Sequence, residues 1–197
     1  MRRLLVVVVV LALGGGAFYL SQHFSTTSST TTSVVSNSTT TVPTTSTSGP
    51  LATNCAPKDF RGVFNQGQGA AGTIFASVTI TKTTVGSCSM KGWPLITLQD
   101  KLGAVLPTRA IDVPTNKDGF SFPTSAADAM PQTLRLSQGS IANFSIAYSD
   151  VPTGSTGCPK AVTISVQFLP QSAAVTVTSL YPLMVCNSGS IWVSPFY

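Results

Sequence analysis

From residue 60 onward the chain alternates. Ile74, Ala76, Val78 and Ile80 occupy every second position, and Ser77, Thr79 and Thr81 fill the gaps between and after them. A period of two sends one set of side chains to a buried face and the other toward water, which predicts a half-buried strand over Thr73 to Thr83. The pattern returns in Ala142, Phe144, Ile146 and Tyr148, and again in Val162, Ile164, Val166 and Phe168. Shorter runs predict strands at Asp59–Asn65, Leu95–Gln99, Ala104–Thr108, Thr133–Leu136, Val175–Val177 and Ile191–Val193. Gln66-Gly67-Gln68-Gly69, Asp100-Lys101-Leu102-Gly103 and Ser137-Gln138-Gly139 read as the turns between them. Residues 109–131 lose the alternation and gain Pro, Asp, Asn and Gly, so they read as a long excursion with one short strand. Many short strands without helical periodicity predict an all-β domain, an immunoglobulin-like antiparallel β-sandwich.

The N-terminal third has different patterns. Met1-Arg2-Arg3 precedes an apolar run, Leu4 to Leu20. As a secretory signal peptide, Leu4–Leu13 is its apolar core, and Gly14-Gly15-Gly16-Ala17 offers small residues for cleavage after Gly16 or Ala17. As a signal anchor, the same run is one short transmembrane helix at the lower limit of spanning length. Arg2 and Arg3 then hold the N-terminus inside and the remainder outside. Phe18, Tyr19 and Leu20 extend the apolar run and favour the anchor. Ser21 to Pro50 is almost wholly Ser, Thr, Val and Asn, with Pro43 and Pro50. Such a segment buries too little apolar surface to offset its ordering entropy, so it is expected to be a disordered linker. Ser/Thr-rich tracts with proline also read as glycosylated stalks. The expected organisation is therefore 1–20 signal peptide or signal-anchor helix, 21–54 linker and 55–197 β-sandwich domain.

Charge alters this picture little. The formal net charge is +5, but Arg2 and Arg3 belong to the targeting segment and the other basic residues are dispersed singly. Dispersed charge focuses no field, and no basic run interleaves with aromatics, so a nucleic-acid partner is not expected. The six acidic residues are all Asp, most of them beside turn residues, where Asp bonds its own backbone. That argues against a paired-carboxylate glycosidase. The only histidine is His23, in the linker, so Ser-His-Asp, Cys-His and cupredoxin-type copper sites lack their imidazole. One calcium candidate remains in Asp112, Asn116, Asp118 and Gly119, although Asp118-Gly119 is also an ordinary turn. No catalytic residue, cofactor or metal ligand is expected.

Four cysteines, Cys55, Cys88, Cys158 and Cys186, follow a segment that directs the chain to an oxidising compartment. They lack the spacing of zinc ligands or of a thioredoxin-like pair, so they read as disulfides. Of three pairings, Cys55–Cys88 with Cys158–Cys186 is favoured, because each encloses a self-contained block of strands. Cys88 sits in a compact corner, Gly86-Ser87-Cys88-Ser89-Met90-Lys91-Gly92-Trp93-Pro94, where Gly92 permits a bend and Trp93-Pro94 caps the core as the next strand begins.

Taken with Cys55, Gly69-Ala70-Ala71-Gly72, Asp100-Lys101-Leu102-Gly103, Leu136-Ser137-Gln138-Gly139, Cys158 and Cys186, that corner resembles the actinobacterial extracytoplasmic domain-of-unknown-function family four-two-three-two. The resemblance covers residues 55–197. It implies a secreted or membrane-tethered β-sandwich behind a Ser/Thr-rich linker, and it brings no activity with it.

Loop and terminal aromatics supply the remaining functional candidates. Trp93 is expected to plug the sandwich end over a disulfide, and Trp192 to fill the core. Phe120, Phe122, Phe196 and Tyr197 are the candidate binding surface. The expected function is a non-enzymatic binding or adhesion module, either tethered to the membrane by its N-terminal segment or secreted if residues 1–17 are removed. Its partner would be a protein or a cell-wall polymer. The alternative is a structural component of envelope assembly, with an enzyme acting on envelope polymers third.

Overall fold

A computed structural model describes residues 53–115, 118–154 and 157–197. The expected signal or anchor segment and nearly all of the linker lie outside the described residues. Among the described residues no helix is long and apolar enough to cross a membrane, and helical geometry is confined to two 3-10 turns, Pro57–Asp59 and Asn187–Gly189.

The strands are β1 (Thr53–Asn54), β2 (Phe60–Ala70), β3 (Thr73–Lys82), β4 (Cys88–Met90), β5 (Leu95–Gln99), β6 (Arg109–Asp112), β7 (Leu134–Leu136), β8 (Ile141–Ser149), β9 (Lys160–Gln167), β10 (Val175–Met184) and β11 (Ser190–Val193). They form a five-stranded sheet in the order β2-β3-β8-β11-β6 and two three-stranded sheets, β10-β9-β5 and β1-β4-β7. The fold is thus all-β with two disulfides, Cys55–Cys88 and Cys158–Cys186. The disulfides mark a domain suited to an oxidising, extracytoplasmic environment.

Alternation located the main core. Val78, Ile80, Ala142, Phe144 and Ile146 from the five-stranded sheet meet Ile96, Leu98, Ile164, Val166 and Val177 from the β10-β9-β5 sheet in one buried cluster. Edge-to-face aromatics run through it: Phe60 on Phe168 (5.1 Å between centroids), Phe168 on Phe196 (5.6 Å) and Phe196 on Phe144 (5.7 Å). Each such pair adds to the burial itself, because a positive ring edge meets a negative ring face. Lys82 is buried at the end of β3, where its Nζ donates to the Thr84 carbonyl at 3.0 Å and to Thr84 Oγ1 at 2.7 Å.

Four features depart from the pattern read in the sequence. First, not every pairing is antiparallel: β1 pairs β4 and β6 pairs β11 in parallel. Alternation reports which face a residue takes, not which strand lies beside it. Second, Thr53 and Asn54, assigned to the linker, already pair with Cys88 and Ser89. Third, Ala104–Thr108 does not return as a full partner of β5. A Gln99–Val105 bridge, the Leu106 N–H bond to the Leu98 carbonyl (2.9 Å), the Asp100 N–H bond to the Ala104 carbonyl (3.0 Å) and the Leu98 N–H bond to Thr108 Oγ1 (3.1 Å) hold a short hairpin, and the chain then leaves to form β6. Fourth, Gln66–Gly69 is strand rather than turn. Asn65 pairs with Ser77 and Gln68 with Phe75, so Gln66 and Gly67 together oppose Ala76 as a β-bulge. The turn lies at Ala71-Gly72, both with positive φ (51° and 80°), as a two-residue hairpin matched to strand twist requires.

Candidate functional site

In the five-stranded sheet, the residues that do not enter the main core form a second, outer face. Towards one end this face is apolar: Phe75 on β3, Ala147 on β8 and Trp192 on β11. The excursion after β6 folds back over it. Phe120 stacks between Phe75 (6.0 Å, 18°) and Trp192 (4.5 Å, 11°), and Phe122 meets Phe120 edge-on at 5.3 Å. Val113, Phe122, Ala127 and Ala147 are buried in this second cluster. The Trp93 indole donates to the Val113 carbonyl at 2.9 Å, tying the disulfide corner to the start of the excursion. Trp192 Nε1 is buried and has no hydrogen-bond partner among the described residues.

The rest of the outer face stays open and polar. Asn65 Nδ2 donates to Thr79 Oγ1 at 2.8 Å and lies 3.3 Å from Ser77 Oγ. Thr79 Oγ1 donates to Asn143 Oδ1 at 2.8 Å, and the Ser145 and Tyr197 hydroxyls are 2.8 Å apart. The C-terminal residues extend the sheet beside β8. Ser194 N–H bonds the Ser145 carbonyl at 2.9 Å, and Tyr197 exchanges both backbone bonds with Asn143 at 2.8 and 2.9 Å. These contacts fix an amide and hydroxyl row spanning β2, β3 and β8.

Where the covered and open halves meet there is a groove of about 250 Å³. Its walls include Asn65, Gln66, Phe75, Phe122, Ser145 and Tyr197, and none of its lining residues carries a charged side chain. Tyr197 also borders a second groove of about 260 Å³, on the side of Met130, Leu134 and Pro195. A third depression, about 420 Å³ at the end of the β10-β9-β5 sheet, holds Lys101, Lys160 and Asp100. There Asp100 Oδ1 is committed to the Leu102 and Ala104 amides of its own turn (2.8 and 2.9 Å), and both lysines are solvent-exposed, so screening weakens what they offer a ligand.

The four aromatics expected on a binding surface separate. Phe122 and Phe196 are buried at 6% and 2% exposure, so each shows little surface, Phe122 to the groove it shares with Tyr197 and Phe196 to the second groove. Phe196 belongs to the main core, and its N–H bonds the Gly92 carbonyl at 3.0 Å. Both went inward because a position in a loop or near a terminus does not expose an aromatic when an apolar sheet face lies within reach. Phe120 is half-buried as the middle of the stack, and Tyr197 is half-buried on the groove. Trp93 is likewise half-buried, and Trp192 packs in the outer cluster rather than the main core. The sequence reading did not single out Asn65, Gln66 or Ser145. The available signal was the polar phase of β3 and β8, read only as a solvent face. Of the calcium candidate, Asn116 lies outside the described residues. Partial desolvation raises the Asp112 carboxyl above its ordinary value, and no group of three His, Cys, Asp or Glu side chains comes together among the described residues.

One further cavity, about 170 Å³, places Tyr148 and Asp150 beside Ser179 and Tyr181. Burial, then the Asp150 charge, pushes the Tyr148 phenol up to about 12 from 10.0. The unfolded chain therefore ionises this phenol first. The effect on stability is nil below pH about 10, and stability then falls as pH rises from about 10 to about 12. Urea unfolding across that window should show a steeper alkaline loss for the native chain than for Tyr148→Phe, and equal slopes would contradict the assignment.

The family model for the domain of unknown function DUF4232 matches residues 55–197, and the chain belongs to that family. No curated protein matches the chain, and neither does any solved structure.

Proposed function

We propose that this DUF4232 domain is a non-enzymatic binding module displayed outside the cell, built on an immunoglobulin-like sandwich frame and carried by an N-terminal membrane segment and a flexible linker. The uncharged groove beside Tyr197 supports this reading most directly. It lies on a face held by cross-strand side-chain bonds, where a ligand meets groups already fixed in place. Inner faces from the sheets share one core, as in a sandwich. Both disulfides lie within the domain and suit the expected location. The arginines ahead of an apolar run support an outward-facing domain. The only histidine lies at position 23, so acid-base chemistry in the domain would have to run without imidazole. The reading needs no cofactor and no nucleic acid; its partner is a protein or a cell-wall polymer.

A second reading, assembly through self-contact, is favoured by one feature. Between the Thr178–Thr163 and Leu183–Ala161 pairs, residues 179–182 of β10 oppose Val162 alone, so the strand bulges outward. Leu180 and Tyr181 are 94% and 62% exposed there. The full chain, immobilised and challenged with solubilised envelope, should retain a foreign component in stoichiometric amount and lose it on Tyr197→Ala. Retention of its own copies alone, abolished by Leu180→Ser, would favour assembly and overturn the first reading.

A further inference from the structure

We infer that the Tyr197 groove is a subsite for one ring of an uncharged saccharide, an inference that rests on the binding-module reading above. Three properties of the groove point to that ligand class.

The first is the absence of charged side chains. No lining residue is Asp, Glu, Lys, Arg or His, so an ionic ligand would surrender its hydration without a side-chain countercharge. The second is the character of the polar groups. Asn65 and Gln66 supply amides and Ser77, Thr124, Ser145 and Tyr197 supply hydroxyls, so every polar side chain in the wall carries both a donor and an acceptor. Sugar hydroxyls have that same dual character. Gln66 is exposed and its side chain bonds no described neighbour, so its amide is available. Asn65 engages only its NH₂ group with Ser77 and Thr79. The third is the ring beside them. Tyr197 is half-buried, with its hydroxyl anchored 2.8 Å from that of Ser145, and grooves lie on both sides of it. The negative face of an aromatic ring accepts the polarised C–H groups on the flat side of a pyranose.

Size agrees. A groove of about 250 Å³ lies below the range that encloses drug-sized ligands, so it takes one ring rather than an oligomer. Its walls come from the outer face of β2, β3 and β8, with β2 the edge strand of that sheet. The groove also lacks the charge used by acidic or phosphorylated peptide motifs.

The test uses the full chain in detergent micelles on an array of neutral, acidic and amino-sugar oligosaccharides. Neutral oligosaccharides should bind, insensitively to salt. Tyr197→Ala should weaken them at least tenfold. Gln66→Ala, a change at an exposed residue that leaves the fold alone, should weaken them roughly three- to tenfold, the range for one lost hydrogen bond. Lys101→Ala, at the far depression, should change nothing. Binding only to acidic sugars and abolished by salt would overturn the inference, because dispersed surface cations would then account for it. So would neutral binding that Gln66→Ala and Tyr197→Ala both leave intact. If the array stays blank while the same two variants abolish retention of an envelope protein, the binding module stands and the saccharide falls. If neither sugar nor foreign protein is retained, both readings fall.

Discussion

Replacing both disulfides with serine pairs should unfold the domain at physiological temperature, and replacing either alone should cost about 3–4 kcal/mol. The two bonds join residues 33 and 28 positions apart. Chain-entropy arguments depend on the logarithm of loop length, so the two costs are nearly equal. The bonds lie on separate elements. Cys55–Cys88 holds β1 and the corner before β5, while Cys158–Cys186 joins the loop ahead of β9 to the segment between β10 and β11. Their costs should therefore add to about 7 kcal/mol, a large share of the 5–15 kcal/mol by which domains are stable. Urea unfolding of the full chain, followed by tryptophan fluorescence, gives the three values. A loss below about 1 kcal/mol for either single replacement would mean that the reduced chain is already restrained by residual structure.

What could be read in advance, and what could not, follows from the information a strand pattern carries. The phase of β3, β8 and β9 placed Val78, Phe144 and Ile164 in the core, since a one-residue slip would turn each apolar set toward water. The cysteines paired as expected, because each bond closes a block of consecutive strands. The outer face was the harder part. Phe75 and Trp192 stand in the polar phase of their strands, and Ala147 interrupts a strand that is buried on both sides around it. Together they signal a face needing a cover, and Phe120 and Phe122 lie in the one long segment free to supply it. The signal is scattered over three strands that only the sheet order brings together. Read one by one, loop aromatics suggest exposure; set against an uncovered apolar face, they suggest burial. The groove shares this origin. It exists because the excursion stops short of Asn65 and Ser145, and no local pattern encodes where a cover ends.

The bulge in β2 supplies the sharpest test of that geometry. Gly67→Ala should cost about 3 kcal/mol or more, while Gly69→Ala, two residues on in the same strand, should cost less than about 1 kcal/mol. A Cβ on Gly67 would overlap the Phe75 carbonyl oxygen and lie 2.7 Å from the Ala76 nitrogen. Both are backbone atoms of the paired strand, so relief requires β2 and β3 to separate or the bulge to move. On Gly69 the nearest atom is Ile74 Cδ1 at 2.8 Å, the tip of a side chain that can rotate away. Gly157→Ala, with nothing within 4 Å, serves as the neutral reference. Moving the bulge by one residue would invert the faces of Asn65 and its neighbours relative to Ser77, because side chains alternate along a strand. Gly67→Ala should therefore also disorder the groove wall formed by Asn65 and Gln66, even in conditions where the domain remains folded. Equilibrium urea unfolding reads the first effect, and amide exchange along β2 and β3 reads the second. Equal losses for Gly67→Ala and Gly69→Ala would show that the bulge accommodates a side chain and is not what shapes the groove.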